Sequence, residues 1–373
     1  ALDADPLALR LRNHADRDPQ ENRPWSSKHL RECYVQAAER FGWSRRTRAP
    51  GSMRDRGIWV GYGMATATYP ANRSPAQASA RLLPDGTFVV ASGSQELGTG
   101  TYTVMTQVAA QSLGVAPRDV RFLLGDTVLP RAPVSGGSTS AASVGPAVRA
   151  ACEALRAKIF AEVVRDAQSP LRASTVDALA IDDGMIVVRA EPVRRESLAA
   201  FAGRRGTPLD AAAEAKPGDE KTMFSAHSFG AVFAEVRVDP WLQVVRIPRI
   251  VGTYDVGTRL NAKTAESQLR GGMVWGVGLA MTEESLLDLG TGHFANASLA
   301  EYHVPVNADI GELDVTFIDA PDTNFNPLGI RGIGEIGITG VAAALCNAIW
   351  HATGVRVRNL PITIDKLMTS VRA

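Results

Sequence analysis

Cysteine is scarce in this sequence: 373 residues hold three, Cys33, Cys152 and Cys346. They are far apart, odd in number and without CxxC or other ligand spacing, which argues against a disulfide framework and gives no iron–sulfur pattern. Reduced thiols in apolar helices are the expectation. Net charge is scarce too, +1 from 40 Lys+Arg against 39 Asp+Glu, so no global attraction to nucleic acid or an anionic membrane is expected. No run of about 18 apolar residues occurs, so no spanning helix is predicted. The six histidines, at 14, 29, 227, 293, 303 and 351, lack metal-ligand spacing. With no Ser-His-Asp constellation in view, structural or surface roles suit them better. The opening ALDADPLALRLRNHADRDP has neither the basic start nor the apolar core of a signal peptide, and no initiator Met. With Pro6, Leu7, Leu9 and Leu11 it reads as a helix already in mid-course. The chain is therefore expected to be a fragment, a processed product or one half of a split protein.

What the chain does have is the composition of a globular protein, 45% hydrophobic and 21% charged, and length enough for two or more core-forming units. Residues 1–50 read as a helical lead-in, broken by the polar RDPQENRPWSS, with a second helix from about Lys28 to Phe41. Beyond the basic RTRAPGSMRDRG the pattern turns to strands and helices. SARLLPDGTFVVASG predicts a hairpin about Pro84-Asp85-Gly86. A helix in GTGTYTVMTQVAAQSLGV and a strand near DVRFLLG follow. SGGSTSAASVGPAVRAACEALRAKIF predicts a long helix whose Val144, Val148, Cys152, Leu155 and Ile159 form one apolar stripe. Residues 205–222, polar with Pro and Gly, are expected to be a boundary or a surface loop. The second half repeats the logic: a hairpin about Asp239-Pro240, a helix in NAKTAESQLRGGMVWGVGLAM and a final helix from about Ile338 to Thr353. In NAKTAESQLRGGMVWGVGLAM, Leu269, Met273, Val277 and Met281 share a face, while Gly272, Gly276 and Ala280 line an adjacent one where another backbone could approach closely. The expected fold class is α+β, with two mixed hairpin-plus-helix subdomains at 51–220 and 221–373 after the lead-in.

Four stretches could carry chemistry. GSQELGTGTYT (93–103) ends a strand and starts a helix, where backbone N–H groups can hold a phosphate; a tight turn that needs glycine also accounts for it. It is neither a Walker loop, since no Lys-Ser/Thr follows, nor a dinucleotide fingerprint, since the third Gly is missing. SGGSTSAASVG (135–145) contains only small residues and one Val, which lets a backbone lie against a ligand, although a flexible surface loop would look the same. Gln268 stands one turn before Gly272, either a ligand donor or an ordinary exposed helical Gln. Glu335 is the lone acid in IRGIGEIGITG, just before a helix start. It would interact with the helix dipole or, if its apolar neighbours desolvate it, act as a base.

The order of these stretches is more specific than any one of them. GSQELGTGTYTVMTQVAAQSLGV, GDTVLPRAPVSGGSTSAASVGPAV, YDVGTRLNAKTAESQLRGGMVWGVG and GIRGIGEIGITG follow one another along the chain. Together they resemble the C-terminal half of the molybdenum-binding subunit of the xanthine dehydrogenase/aldehyde oxidase family, in particular of the bacterial three-subunit aldehyde dehydrogenase type. DPLALRLRN and WSSKHLRECYVQAAERFGW resemble the segment leading into that half, so the resemblance covers nearly the whole chain.

The resemblance implies the fold of the family's second molybdenum-cofactor-binding domain. It implies a cofactor of molybdenum with molybdopterin cytosine dinucleotide, the metal held through the pterin dithiolene with no protein side chain as ligand. Glu335 would be the general base in oxidising an aldehyde to a carboxylic acid with oxygen from water. Gly98, Thr99 and Gly100 would meet the pterin, many relatives having Gln at the middle position. Ala141, Ala142, Ser143, Val144 and Gly145 would form a small-residue turn around the cofactor, and Gln268 would contact it. The family's subunit is longer, and its first half supplies the rest of the pocket. Iron–sulfur clusters and FAD lie on other subunits or domains. The implied partners are the N-terminal half of the molybdenum subunit, iron–sulfur and flavin subunits and a small aldehyde, with no nucleic acid and no membrane. The expected location is cytoplasmic, or periplasmic on a partner's export signal.

Other readings stand beside this one. The same chemistry hydroxylates N-heterocycles such as a purine, nicotinate or isoquinoline. A non-catalytic structural half would fold and bind partners without a cofactor. A phosphate- or nucleotide-binding domain on GTGTYT lacks a Lys or acidic partner at motif spacing. TATYPANRSP is a candidate contributor to the pocket without an assigned role.

Overall fold

The computed structural model describes residues 2 and 4–368; the outermost residues of the expected lead-in and last subdomain, 1, 3 and 369–373, lie outside the described residues. The chain runs through α1 (Pro6–Arg12), α2 (Leu30–Phe41), β1 (Arg54–Asp55), β2 (Ile58–Pro70), β3 (Ala76–Leu82) and β4 (Phe88–Ala91). Next come α3 (Thr101–Leu113), β5 (Val120–Leu123), α4 (Ser140–Val163), β6 (Leu179–Asp182), β7 (Met185–Val188), β8 (Glu191–Ser197) and α5 (Leu198–Arg205). Then follow β9 (Leu209–Ala215), α6 (Glu220–Met223), β10 (His227–Val238), β11 (Val245–Asp255) and α7 (Ala262–Met281). The last elements are β12 (Leu287–Asp288), β13 (His293–Phe294), β14 (Glu312–Ile318), α8 (Val341–Thr353) and α9 (Ile364–Met368). The fold is α+β. None of the described helices is long and apolar enough to cross a membrane.

Two compact units result: one from the residues up to Pro70, Phe224–Ala320 and Ile333 onward, the other from Ala71–Met223 and Pro321–Gly332. These units cut the chain differently from 1–50, 51–220 and 221–373. The reason is β2, which pairs with β10 from Trp59↔Val238 to Pro70↔His227 and so ties the early residues to the later ones.

The first unit is built on a five-stranded sheet, ordered β1-β2-β10-β11-β14, antiparallel except for β11 and β14. Strand alternation divides β2 between two cores. Val60, Tyr62 and Met64 join the α2 residues Cys33, Tyr34 and Phe41, while Ala65 and Ala67 join Leu345 and Ala348 of α8. On that second face the residues are small because α8 lies directly on the strand: a Cβ at Gly61 or Gly63 would run into the carbonyls of Ala348 and Ala344. His351 of α8 is fully buried. Its Nδ1 accepts the Tyr62 N–H at 3.0 Å and its Nε2 donates to Thr47 O at 2.7 Å, which fixes a neutral ring with the proton on Nε2. In α7, Leu269, Met273 and Val277 are buried, and the small-residue face does receive a backbone: a Cβ on Gly272 would stand 2.7 Å from Gly337 Cα. The helix expected in mid-course has a defined start instead, because Asp5 accepts the N–H groups of Leu7 and Ala8 ahead of Pro6.

The second unit holds a four-stranded sheet, β5-β4-β3-β9, and a three-stranded one, β6-β7-β8. The hairpin of β3 and β4 turns at Pro84-Asp85-Gly86 as expected. Helix α4 packs on β3 and β9 through Val144, Val148, Cys152, Leu155 and Ile159, all buried. Residues 205–222 differ from the expected loop. Leu209–Ala215 is strand β9, paired along β3, with Leu209 and Ala211 buried and Asp210 and Glu214 exposed. The alternation of Leu and Ala with acids was the signal, and the surrounding Pro, Gly and Lys masked it. All three cysteines lie in helices and none forms a disulfide; burial pushes the Cys152 thiol up to about 12.

Candidate active site

In the first unit, Glu335 stands half-buried in the loop from Ile333 to Gly340 that leads into α8. Three contacts shape this loop. Gln268 Nε2, on α7, donates to Gly334 O at 2.9 Å. Gly337 lies against Gly272. Gly340 caps α8 with φ 84°, close enough to β2 that a Cβ would meet Thr66 O at 2.9 Å. The structure therefore brings Gln268 and Glu335 to one loop, with the Gln side chain holding the backbone beside the acid. Glu335 lies five residues ahead of the α8 N-cap, outside the first turn where a dipole interaction is effective. Burial, then the charge of Glu335 and hydrogen bonding to it, push the Tyr69 phenol above its ordinary value.

In the second unit, Gly98, Thr99 and Gly100 form the loop that enters α3. Its amides are already used. The Glu96 carboxylate accepts from the N–H groups of Gly98 at 2.9 Å, Gly100 at 3.0 Å and Tyr102 at 3.1 Å. Burial pushes the Glu96 carboxyl up, but these backbone bonds outweigh it and hold it below the ordinary carboxylate range. A side chain thus occupies the anion position, which removes the basis for phosphate binding at GTGTYT. The outer rim stays open: Thr99 is exposed, and nothing lies within 4 Å of a Cβ built on Gly98.

Ala141, Ala142, Ser143, Val144 and Gly145 are not a turn but the first turns of α4, and all but Ala141 are buried. Ser143 Oγ donates to Thr139 O at 2.8 Å and accepts the Ser74 N–H at 3.0 Å. Pro146 would leave the carbonyl of Ala142 without its helical partner; Arg73 Nε takes it at 3.2 Å. The same guanidinium donates through Nη1 to Phe325 O at 2.9 Å and Glu220 Oε1 at 2.6 Å. The turn lies just upstream, where Gly137 and Ser138 have φ 63° and 57° and a Cβ on Gly332 would strike Ser138. The N-cap Thr139 sends its hydroxyl to Gly136 O at 3.0 Å and does not cap the first amides of α4. Gln95 Oε1 accepts the Ser135 N–H at 3.0 Å and ties this turn's loop to the 93–100 loop. Sequence reasoning missed Tyr69, Arg73 and Glu96. The first two lie in TATYPANRSP, where one aromatic and one cation punctuate small residues; Glu96 lies inside the glycine motif itself.

Residues 36–311 match the family model of the molybdopterin cofactor-binding domain, a span that includes every candidate above except Glu335. The chain is 36% identical over 366 residues to the aldehyde oxidoreductase molybdenum-binding subunit PaoC of Escherichia coli (strain K12), covering 98% of this chain and 48% of that protein. It is 33% identical over 383 residues to the xanthine dehydrogenase molybdenum-binding subunit of Escherichia coli O157:H7, covering 98% and 50%. Among solved structures, quinoline 2-oxidoreductase from Pseudomonas putida 86 superposes with a TM-score of 0.86 at 21% identity, over 99% of this chain and 49% of that one. The chain belongs to the molybdenum hydroxylases: it carries their molybdopterin cofactor-binding domain and matches the C-terminal half of the molybdenum-binding subunits of the xanthine dehydrogenase/aldehyde oxidase family. It spans about half the length of the curated relatives it matches.

Proposed function

We propose that this chain forms part of the active site of a molybdenum hydroxylase that oxidises aldehydes to carboxylic acids with oxygen from water, and that Glu335 is its general base. The observation that carries this reading is the placing of Glu335: a half-buried carboxylate on a loop held from Gln268, Gly272 and Thr66, with a hydrogen-bond donor beside it. A base must be positioned as well as basic, and this loop positions it. The aldehyde preference rests on the relative named for aldehyde oxidoreduction.

The residues fit a pterin rather than a bare metal ion. Among the described residues, no three His, Cys, Asp or Glu side chains converge on a metal position. The second unit offers hydroxyls, the rim of Gly98, Thr99 and Gly100, and the first amides of α4 at Ser140 and Ala141, which the Thr139 side chain does not cap. Ala142, Ser143, Val144 and Gly145 would act from beneath, by supporting that helix start. Gln268 would act through the Gly334 loop. When bound, the molybdopterin, in its cytosine dinucleotide form, supplies the two-electron redox centre; Glu335 takes up the proton.

Electrons leave through partner subunits carrying iron–sulfur clusters and FAD, and a partner carrying the N-terminal half completes the pocket. Residues 284–306 support a protein partner: they form an exposed excursion with Leu289 90% and Leu299 85% accessible, the kind of apolar surface that partners cover. The cytoplasm is the proposed location.

The test is Glu335→Gln in the assembled, molybdenum-loaded enzyme. Turnover should fall by about 10² to 10⁴-fold, the usual contribution of a positioned base, with metal content unchanged. Turnover within tenfold of the parent at full metal loading overturns the assignment. Relatives named for xanthine and quinoline favour an N-heterocycle as the second substrate class. A substrate panel holding a benzaldehyde and a purine separates the two.

A further inference from the structure

We propose that the cavity at the C-terminal end of α7 is a binding site for a small, neutral, mostly apolar molecule that carries one N–H or O–H donor.

The signal lies at the turn between β10 and β11. Hydrophobicity would turn Trp241 and Leu242 inward and Gln243 outward. The structure does the reverse: Trp241 is 89% and Leu242 65% exposed, while Gln243 is 3% exposed. The turn imposes this order. Asp239 Oδ1 accepts the N–H groups of Trp241 and Leu242 at 2.8 and 2.9 Å, and Gln243 follows with φ 55°, a conformation uncommon outside glycine. Gln243 Nε2 donates to Pro240 O at 2.7 Å. That bond identifies the nitrogen, so the other end of the amide is the carbonyl oxygen. Among the described residues, this buried Oε1 has no hydrogen-bond partner. An unmet buried acceptor is costly, and an apolar side chain at this position would avoid the cost.

Gln243 lines a cavity of about 460 Å³, within the size range of small-molecule sites. The cavity belongs to the first unit alone. Val277 and Met281 of α7, Ile247 of β11 and Ile362 ahead of α9 give it aliphatic walls. Thr282, the α7 C-cap, also lines it, and its Oγ1 is likewise buried without a partner among the described residues. The charged lining is one cation, Arg246, and one acid, Asp309; the two signs together favour no ion. A molecule that fits sets an apolar body against the walls and gives its donor to Gln243 Oε1. The place is separate from that of Glu335. Gln268, which holds the Glu335 loop, and Met281 lie about 20 Å apart along α7 at the rise of a helix.

The experiment labels the methionine ε-methyls and isoleucine δ-methyls of the full chain. It follows them by NMR during titration with indole and with benzothiophene, which has the same shape without the N–H. Met281→Leu, Ile362→Val and Ile336→Val assign the three methyls that matter. Met281 and Ile362 should shift saturably, while Ile336, buried beside Glu335, stays unmoved. Indole should bind about fivefold more tightly than benzothiophene, the worth of one hydrogen bond. In Gln243→Met, of similar length and shape, that ratio should fall to about one. Methyls that neither compound moves, as in a cavity that holds only water, overturn the site, and so does a shift confined to Ile336. Equal affinities of the two compounds for the parent overturn the role of Oε1, whether or not the variant folds.

Discussion

His351 gives the sharpest quantitative expectation, because its surroundings leave it one protonation state. The ring is buried between β2 and the segment holding Thr47, accepts the Tyr62 N–H at Nδ1 and donates from Nε2 to Thr47 O. Burial, then the neighbouring Arg46 charge, lowers its pKa from 6.5 to about 4. The unfolded chain therefore takes up a proton between those values that the folded chain refuses. The associated stability is fully present above pH 6.5 and is lost as pH falls toward 4. At about 1.4 kcal/mol per pKa unit the whole effect is about 3 kcal/mol. Between pH 7 and pH 5 it amounts to about 2 kcal/mol. Urea denaturation at both pH values, for the parent and for His351→Gln, isolates it: Gln can still accept the Tyr62 N–H but does not titrate. The parent should lose about 2 kcal/mol more than the variant over that interval. Equal losses, or a ring that titrates near 6.5 by NMR, refute the reasoning.

Two further expectations concern the frame of the acid. Gly63→Ala places a methyl against the backbone of α8 at Ala344 and Ala348, and should destabilise the first unit by about 3 kcal/mol in denaturant unfolding; a variant as stable as the parent would show that the helix is free to lift. Gln268→Leu removes the side-chain bond to Gly334 O. It should cost about 1 kcal/mol and speed amide hydrogen exchange from Gly334 to Gly340, while the C-terminal turns of α8 stay protected; exchange identical to the parent would mean that the glycine contacts alone hold the loop.

How much could be read beforehand depended on whether a signal was local. The stripe of Val144, Val148, Cys152, Leu155 and Ile159 and the hairpin at Pro84-Asp85-Gly86 are written in neighbouring residues, and both stand in the structure. The close approach at Gly272 was legible because a helix that lines up Gly272, Gly276 and Ala280 advertises a missing wall. Strand β9 was hidden because small, partly acidic residues suit an edge strand and a loop alike, and its partner β3 lies far back in the chain. The compact units were not legible as blocks, because β2 finds β10 only after residues 71–223 of the second unit have intervened. At the site, the glycine motif looked like an anion cradle, and only coordinates reveal that Glu96, from within the motif, fills the cradle. Glu335 stood out by its isolation, whereas the hold on its loop had no local mark, since Gln268 and Thr66 reach it from distant elements.

The way β2 is shared out along the chain has a consequence for synthesis. A ribosome releases β2, the strand that carries Tyr69, long before β10 exists to pair with it. Residues 71–223, most of the second unit, are contiguous and emerge complete in the meantime. The nascent chain must therefore keep a thirteen-residue strand, apolar on both faces, out of trouble while residues 71–223 fold downstream of it. Such a strand is a natural client for a holding chaperone and a point where slow translation or heat would favour aggregation. The strand against which the loop of Glu335 lies is thus also left waiting while its neighbour is made.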